Sequence, residues 1–156
     1  MILMGITGHK NAGKTTLTER LVRHLTGKGL TVSTLKRTHH MLDLETPGTD
    51  SHRHRMAGAH QTLLASDARL TLMEEGPRDL QTLLGRLSPC DVVLAEGWKH
   101  GEHARIEAWR PETGQPPLAQ ADRGFKAVAA SAPCEVSVPI FDLDDISAIA
   151  EFILAR

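Results

Sequence analysis

The chain has 156 residues, 40% hydrophobic and 24% charged, with a formal net charge of −1. That suits one globular domain with a sizeable core and leaves little room for a second. Aromatic residues are only 3%, tyrosine is absent, and Lys and Arg form no long block, which argues against a stacking platform or basic groove for nucleic acid. Two cysteines, Cys90 and Cys134, are too few for a disulfide framework and read as reduced and buried.

Met1 to Thr7, MILMGIT, is an apolar β-type run suited to burial on both faces. No cationic segment precedes it, and His9 and Lys10 end it early. It reads as neither a signal peptide nor a membrane span, and the expected location is cytoplasmic. After a glycine loop, Leu17, Leu21, Val22 and Leu25 share one helical face, and Gly27 and Gly29 supply the stop. Residues 30–36 read as the second strand, closing a βαβ unit of about 30 residues.

From Arg37 to Gly58 the apolar pattern fails, and His39, His40, His52 and His54 flank LETPGTDS. A long irregular segment in a small domain is usually functional or mobile. Residues 51–59 can close it as a short helix capped by Asp50 or Ser51. QTLLAS and RLTLMEE read as strands joined at residues 66–68, and residues 79–87 as a helix with Leu80, Leu83, Leu84 and Leu87 on one stripe. CDVVLAEG, residues 90–97, is a buried strand. ARIEAWR, residues 104–110, alternates, which fits either an edge strand or a hairpin contributed to a dimer. KAVAAS and VPIFDL read as the last strands, and DDISAIAEFILAR as a closing helix. The expected fold is α/β: a mostly parallel sheet with helices on both faces and an extra β-hairpin, one domain over residues 1–156.

The glycine loop carries the chemistry. Gly8-x-x-x-x-Gly13-Lys14-Thr15 matches G-x-x-x-x-G-K-[ST], following a strand and opening a helix as that motif requires. Such a loop aims successive N–H groups, with the helix dipole behind them, at phosphate oxygens. Lys10, Asn11 and Ala12 would supply chiefly N–H groups in a nucleotide loop that includes Gly8, His9 and Gly13, Lys14 a charge between β- and γ-phosphates, Thr15 a hydroxyl to Mg²⁺, and Thr16 a bond to the α-phosphate. The expected ligand is a nucleoside triphosphate. A second metal-facing acid is needed at a neighbouring strand end, where Glu96 stands. Lys99 would pair with Glu96 or reach a phosphate. Asp50 is the other candidate for Mg²⁺ or its waters, alongside its capping role. The histidine-rich segment reads either as an anion-handling loop, with Lys36, Arg37, Arg53 and Arg55 beside the histidines, or as a metal site of no established spacing.

GHKNAGKTTL, KRTHH…ETPGTDSHRHRMAGA and VVLAEGWK, in that order and spacing, resemble the MobB family of molybdopterin guanine dinucleotide synthesis. The resemblance runs nearly the whole chain. It implies a P-loop protein that binds GTP with Mg²⁺, hydrolyses it weakly, forms a homodimer, and serves as adapter to the molybdopterin guanylyltransferase (MobA-type), with molybdopterin as a further partner. Carried over, residues 10–16 hold the nucleotide, Thr15, Asp50 and Glu96 are the metal and switch positions, and His39, His40 and Arg53 line an anion-binding surface. Lys14, Glu96 and Asp50 would then carry the hydrolysis. Glu45 and Trp98 stand where such proteins commonly have Asp and Phe; both keep the chemical character. The chain has no N-K-x-D, and Ala132 stands where an Asp would read a guanine edge. The base preference is therefore what the resemblance implies. Two other functions share these motifs: a P-loop kinase or ligase with a small anionic acceptor, and a metal-insertion GTPase using the histidines.

Overall fold

The computed structural model describes residues 1–38, 45–76 and 78–156. It divides into two compact units, Met1–Thr38 with Leu87–Arg156, and His39–Arg86.

The first unit is built on a six-stranded sheet. Its strands are β1 (Ile2–Thr7), β2 (Val32–Lys36), β5 (Val92–Glu96), β6 (Arg105–Trp109), β7 (Phe125–Ala130) and β8 (Ile140–Asp142), in the spatial order β2-β5-β1-β6-β7-β8. Every pairing is parallel. Parallel strands need covered faces, so they read as near-continuous apolar runs, and every residue of β5 and β6 is buried. The ARIEAWR segment is thus an interior strand between β1 and β7, neither an edge strand nor a hairpin. Its alternation hides Arg105, Glu107 and Trp109 under the loops of one face.

Helix α1 (Lys14–Gly27) buries Leu17, Leu21 and Leu25, spaced four apart on one stripe. Helix α4 (Ile146–Leu154) is capped by the Asp145 carboxylate, which accepts from Ala148 N–H at 3.0 Å, and buries Ile149, Ala150 and Ile153. These two stripes share one apolar cluster with Met4, Ile6, Leu94, Ile106, Ala127 and Ala129. Each large apolar side chain so buried stabilises the fold by about 1.5–3 kcal/mol. A second cluster joins Trp109, Phe125, Val128 and Ala130 to Ala119, Val136 and Val138. The expected helices on both faces are therefore an α-helical pair on one and, on the other, the 3-10 turn Leu118–Gln120 with the chain that follows β7.

The second unit contains α2 (Asp50–Met56), the antiparallel hairpin β3 (Gln61–Ala65) and β4 (Leu70–Glu74), and α3 (Leu80–Leu84). Thr49, and not Asp50 or Ser51, is the N-cap of α2. Asp50 opens the helix, its carboxylate accepting from Ser51 N–H at 2.8 Å. Asp79 caps α3 through Thr82 N–H at 2.8 Å. Glu45 pairs with Arg55, which also reaches Glu75 at 3.0 Å, and Glu74 holds Arg78 at 2.5 Å and Arg86 at 3.0 Å. Thr62, Leu64, Thr71 and Met73 lie on one hairpin face by the register, and Leu63, Ala65, Leu70 and Leu72 on the other.

Candidate functional site

The loop between β1 and α1 takes a shape that only its sequence permits. Gly8 has φ +142°, and a Cβ there would meet the Ala108 carbonyl oxygen at 2.3 Å. Asn11 sits at φ +64°, in the left-handed region that asparagine tolerates. Lys14 folds back over the loop, its ammonium donating to the His9 carbonyl at 2.6 Å. Gly13 faces the guanidinium of Arg110, whose Nε is buried with no partner among the described residues.

The neighbouring strand end supplies the acid. Glu96 closes β5, is 8% exposed, and accepts from the Thr15 hydroxyl at 3.0 Å. Its ion partner is Lys36 at 3.4 Å, not Lys99. Burial holds the Lys14 ammonium below the ordinary lysine range; Glu96 raises it, and Lys99 and Lys36 lower it again. Three ammonium groups therefore act on one concavity around a single buried carboxylate, which favours a polyanion there. Two cavities meet at Thr15: one of about 360 Å³ along Asn11, Gly13, Lys14, Thr15 and Thr16, and one of about 320 Å³ bounded by Thr18, Thr34, Lys36 and Glu96.

Thr15 and Glu96 put two hard oxygen donors side by side, the donor chemistry that Mg²⁺ takes. Asp50, the third expected member, belongs to the second unit and borders a cavity with Glu45, Thr49 and Met73. Arg53 is exposed on α2, and His52 accepts from Gly48 N–H at 3.3 Å. His39 and His40 lie outside the described residues. Among the described residues no three His, Cys, Asp or Glu side chains converge as a metal cluster would need. Lys10 is exposed, and Ala12 is buried at the base of the loop.

Sequence reasoning missed Arg105, Glu107 and Arg110. Glu107 is completely buried, its two oxygens accepting from Leu118 and Ala119 N–H at 2.9 Å each. Burial pushes its carboxyl up; the two backbone bonds and the charge of His9 pull it back. Their signal was the R-x-E-x-W-R spacing, which reads as a wetted strand face unless both faces are known to be covered.

The description "Molybdopterin guanine dinucleotide synthesis protein B", that of the MobB family, matches residues 3–131. The chain belongs to the MobB family. It is 38% identical to the molybdopterin-guanine dinucleotide biosynthesis adapter protein of Escherichia coli, over 97% of this chain and 91% of that one. The Haemophilus influenzae adapter protein of the same name is 37% identical, over 97% and 86%. Among solved structures, the MobB homolog from Bacillus stearothermophilus superposes with a TM-score of 0.76 at 26% identity, covering both chains in full. Bacillus subtilis MobB gives 0.78 at 25% identity, over 99% and 97%. The fold of this MobB chain is thus that of an α/β P-loop NTPase, as its loop and parallel sheet imply.

Proposed function

We propose that this MobB-family chain is a GTP-binding adapter in molybdopterin guanine dinucleotide biosynthesis, hydrolysing GTP slowly with Mg²⁺ and working beside the guanylyltransferase (MobA-type) and molybdopterin. The adapter role is the one its relatives are named for. The observation that carries the nucleotide reading is the Thr15–Glu96 hydrogen bond at 3.0 Å, set beside Lys14 on a complete Walker loop. We take residues 1–156 as one nucleotide-binding domain of the cytoplasm; among the described residues no helix is long and apolar enough to cross a membrane.

The loop N–H groups and Lys14 hold the β- and γ-phosphates and stabilise the charge that spreads over the transferring phosphoryl group. Thr15 and, directly or through water, Glu96 would hold Mg²⁺, which would supply positive charge against the charge developing on the phosphates. Lys36 pairs with Glu96 at 3.4 Å beside the loop. Hydrolysis is slow because no arginine is assigned to the γ-phosphate: Arg37 lies 5.1 Å over the Trp98 ring, Arg55 is tied to Glu45 and Glu75, and Arg110 faces Gly13. A dedicated arginine contributes about 10³–10⁵ in rate where one is present.

The homodimer is supported by the hairpin face bearing Leu63, Leu70 and Leu72, which are 59%, 63% and 44% exposed. An apolar patch of that kind marks an interaction surface, and a second copy is the occupant we assign to it.

Calorimetric titration with GTP and with ATP, each with and without Mg²⁺, tests the nucleotide reading. Tight, Mg²⁺-dependent GTP binding that outranks ATP and disappears in Lys14→Ala is expected. Equal affinity for both would bring forward the kinase or ligase alternative and make Ala132 the reason. Binding indifferent to Lys14→Ala would remove the Walker loop from the account.

A further inference from the structure

On the His9 side of the loop lies a further cavity of about 360 Å³, apart from the two that meet at Thr15. That size falls in the range of small-molecule sites. Its walls are Pro116, Pro117, Leu118 and Phe125, and its rim carries His9, Lys99 and His100. We propose that this cavity binds a second ligand: a flat heterocycle bearing N–H groups and a phosphate ester, held next to the nucleotide.

The walls are built by two buried charges on β6. Arg105, 3% exposed, donates through one guanidinium nitrogen to the Lys99 carbonyl and through the other to Asp122 Oδ1 at 2.9 Å. It also lies 5.0 Å over the Phe125 ring. One guanidinium thus ties the loop after β5 to the turn before β7, on two sides of the same cavity. Glu107, two residues along the strand on the same face, holds Leu118 and Ala119 by their N–H groups at 2.9 Å each. Burying a carboxylate and a guanidinium is costly, and apolar residues of similar volume would fill a core as well or better. Their placement is explained if the loops they fix must present a defined pocket.

The lining chemistry selects the ligand. Flat apolar walls suit ring faces. Asp122 keeps Oδ2 without a described partner, since Oδ1 takes both Arg105 and Gly124 N–H at 2.8 Å, so Oδ2 can accept from ring or amino N–H. Arg105 balances the Asp122 charge, and Lys99 has no salt-bridge partner among the described residues, which leaves the rim fit for a phosphate. His9 joins the two sites: its carbonyl accepts from Lys14, and its Nε2 lies 3.2 Å from the Pro116 carbonyl. A pterin phosphate and a purine monophosphate share this chemistry.

The proposal deepens the nucleotide reading, and the test reads the two separately. The full chain, saturated with GDP and Mg²⁺, is titrated with neopterin monophosphate followed by its fluorescence, with GMP by calorimetry, and with inorganic phosphate. Two exposed lining positions away from the loop are varied: His100→Glu adds a negative charge to the rim, and Ala121→Trp fills the cavity. One of the two esters should bind with one-to-one stoichiometry in the presence of GDP and far more tightly than inorganic phosphate. Each variant should weaken it by about tenfold or more, as loss of a charge-assisted bond does, while GTP binding stays as in the parent. Which ester binds identifies the source. Absence of binding by both, unchanged affinity in both variants, or stoichiometric displacement by GDP would overturn the proposal. Ester binding with no GTP binding would overturn the nucleotide reading and leave this one standing.

Discussion

Strands β5 and β6 bury all ten of their residues, among them Glu96, Arg105 and Glu107. Strands β3 and β4 leave Leu63, Leu64, Leu70 and Leu72 between 44% and 63% exposed. The charged strand residues are inside and the leucines are outside, opposite to what composition suggests. The difference is one of neighbours. Each of β5 and β6 has a strand on both sides and cover on both faces, so even charged residues must find partners in the interior. The hairpin has two strands only, and a two-stranded ribbon is marginal unless something covers its apolar face. The first unit therefore spends its apolar surface internally and fixes polar groups among buried partners. The second leaves apolar surface exposed.

The sharpest way to break this comparison is at two left-handed glycines, one in each unit. Gly8→Ala adds a Cβ against the Ala108 carbonyl; backbone strain of about 1–3 kcal/mol adds to an overlap costing about 1–3 kcal/mol. Gly48, at φ +89°, has nothing within 4 Å of its added Cβ, so Gly48→Ala carries the strain alone. Urea denaturation should show the first variant much less stable than the second, and the first should also lose GTP affinity. Equal losses would mean that the close approach of the loop to β6 is not real.

A second test sets two glutamates against each other, with opposite pH signs. Glu107 has its carboxyl raised, by burial first. The folded state then holds its proton where the unfolded state has lost it, so its contribution is complete below the ordinary carboxylate value and is lost as pH rises through the folded one. Glu74 has its carboxyl lowered, chiefly by the Arg78 hydrogen bond, so its contribution is present above the ordinary value and lost as pH falls through the folded one. Glu107→Gln turns an NH₂ toward a buried N–H and should cost about 1–3 kcal/mol, with the deficit against the parent shrinking as pH rises through that window. Glu74→Gln should show a deficit that shrinks as pH falls. Urea midpoints from strongly acidic pH, below the ordinary carboxylate value, up to neutral pH check both; the same sign in both variants would contradict the burial assigned to Glu107.

The legible part of the molecule was the part fixed by local rules. The loop, α1, β5 and α4 each have one apolar pattern and one backbone solution, so residues 8–16 and Glu96 could be placed from the sequence, as could the β3–β4 turn at residues 66–68. The resemblance to MobB, resting on the loop, the histidine block and E-G-W-K, held for the family. What failed depended on long-range partners. The 104–110 segment alternates like a wetted strand, and only the β1 and β7 neighbours make it interior. Lys36 became the partner of Glu96 because β2 lies beside β5, a pairing that sequence spacing does not show. The Thr49 cap was missed because Asp50, the stronger capper by type, serves the same turn from one residue inside it.

The smallest effect on folding should come from the hairpin face, and that is what makes it informative. Leu94 is completely buried, and Leu94→Ala should cost about 2–5 kcal/mol. Leu63, 59% exposed and opposite Leu72 in the register, makes few contacts to lose, so Leu63→Asp should change the stability of the isolated chain by less than about 0.5 kcal/mol. The same substitution places a charge in the face assigned to a second copy, where leaving it unpaired on burial is costly. Sedimentation velocity should then show the parent as a dimer and the variant as a monomer, with GTP affinity unchanged in both. A dimer that survives Leu63→Asp would move the assembly surface elsewhere. A variant that loses as much folding stability as Leu94→Ala would show that Leu63 is core, and the contrast between the two units would fail at its most exposed point.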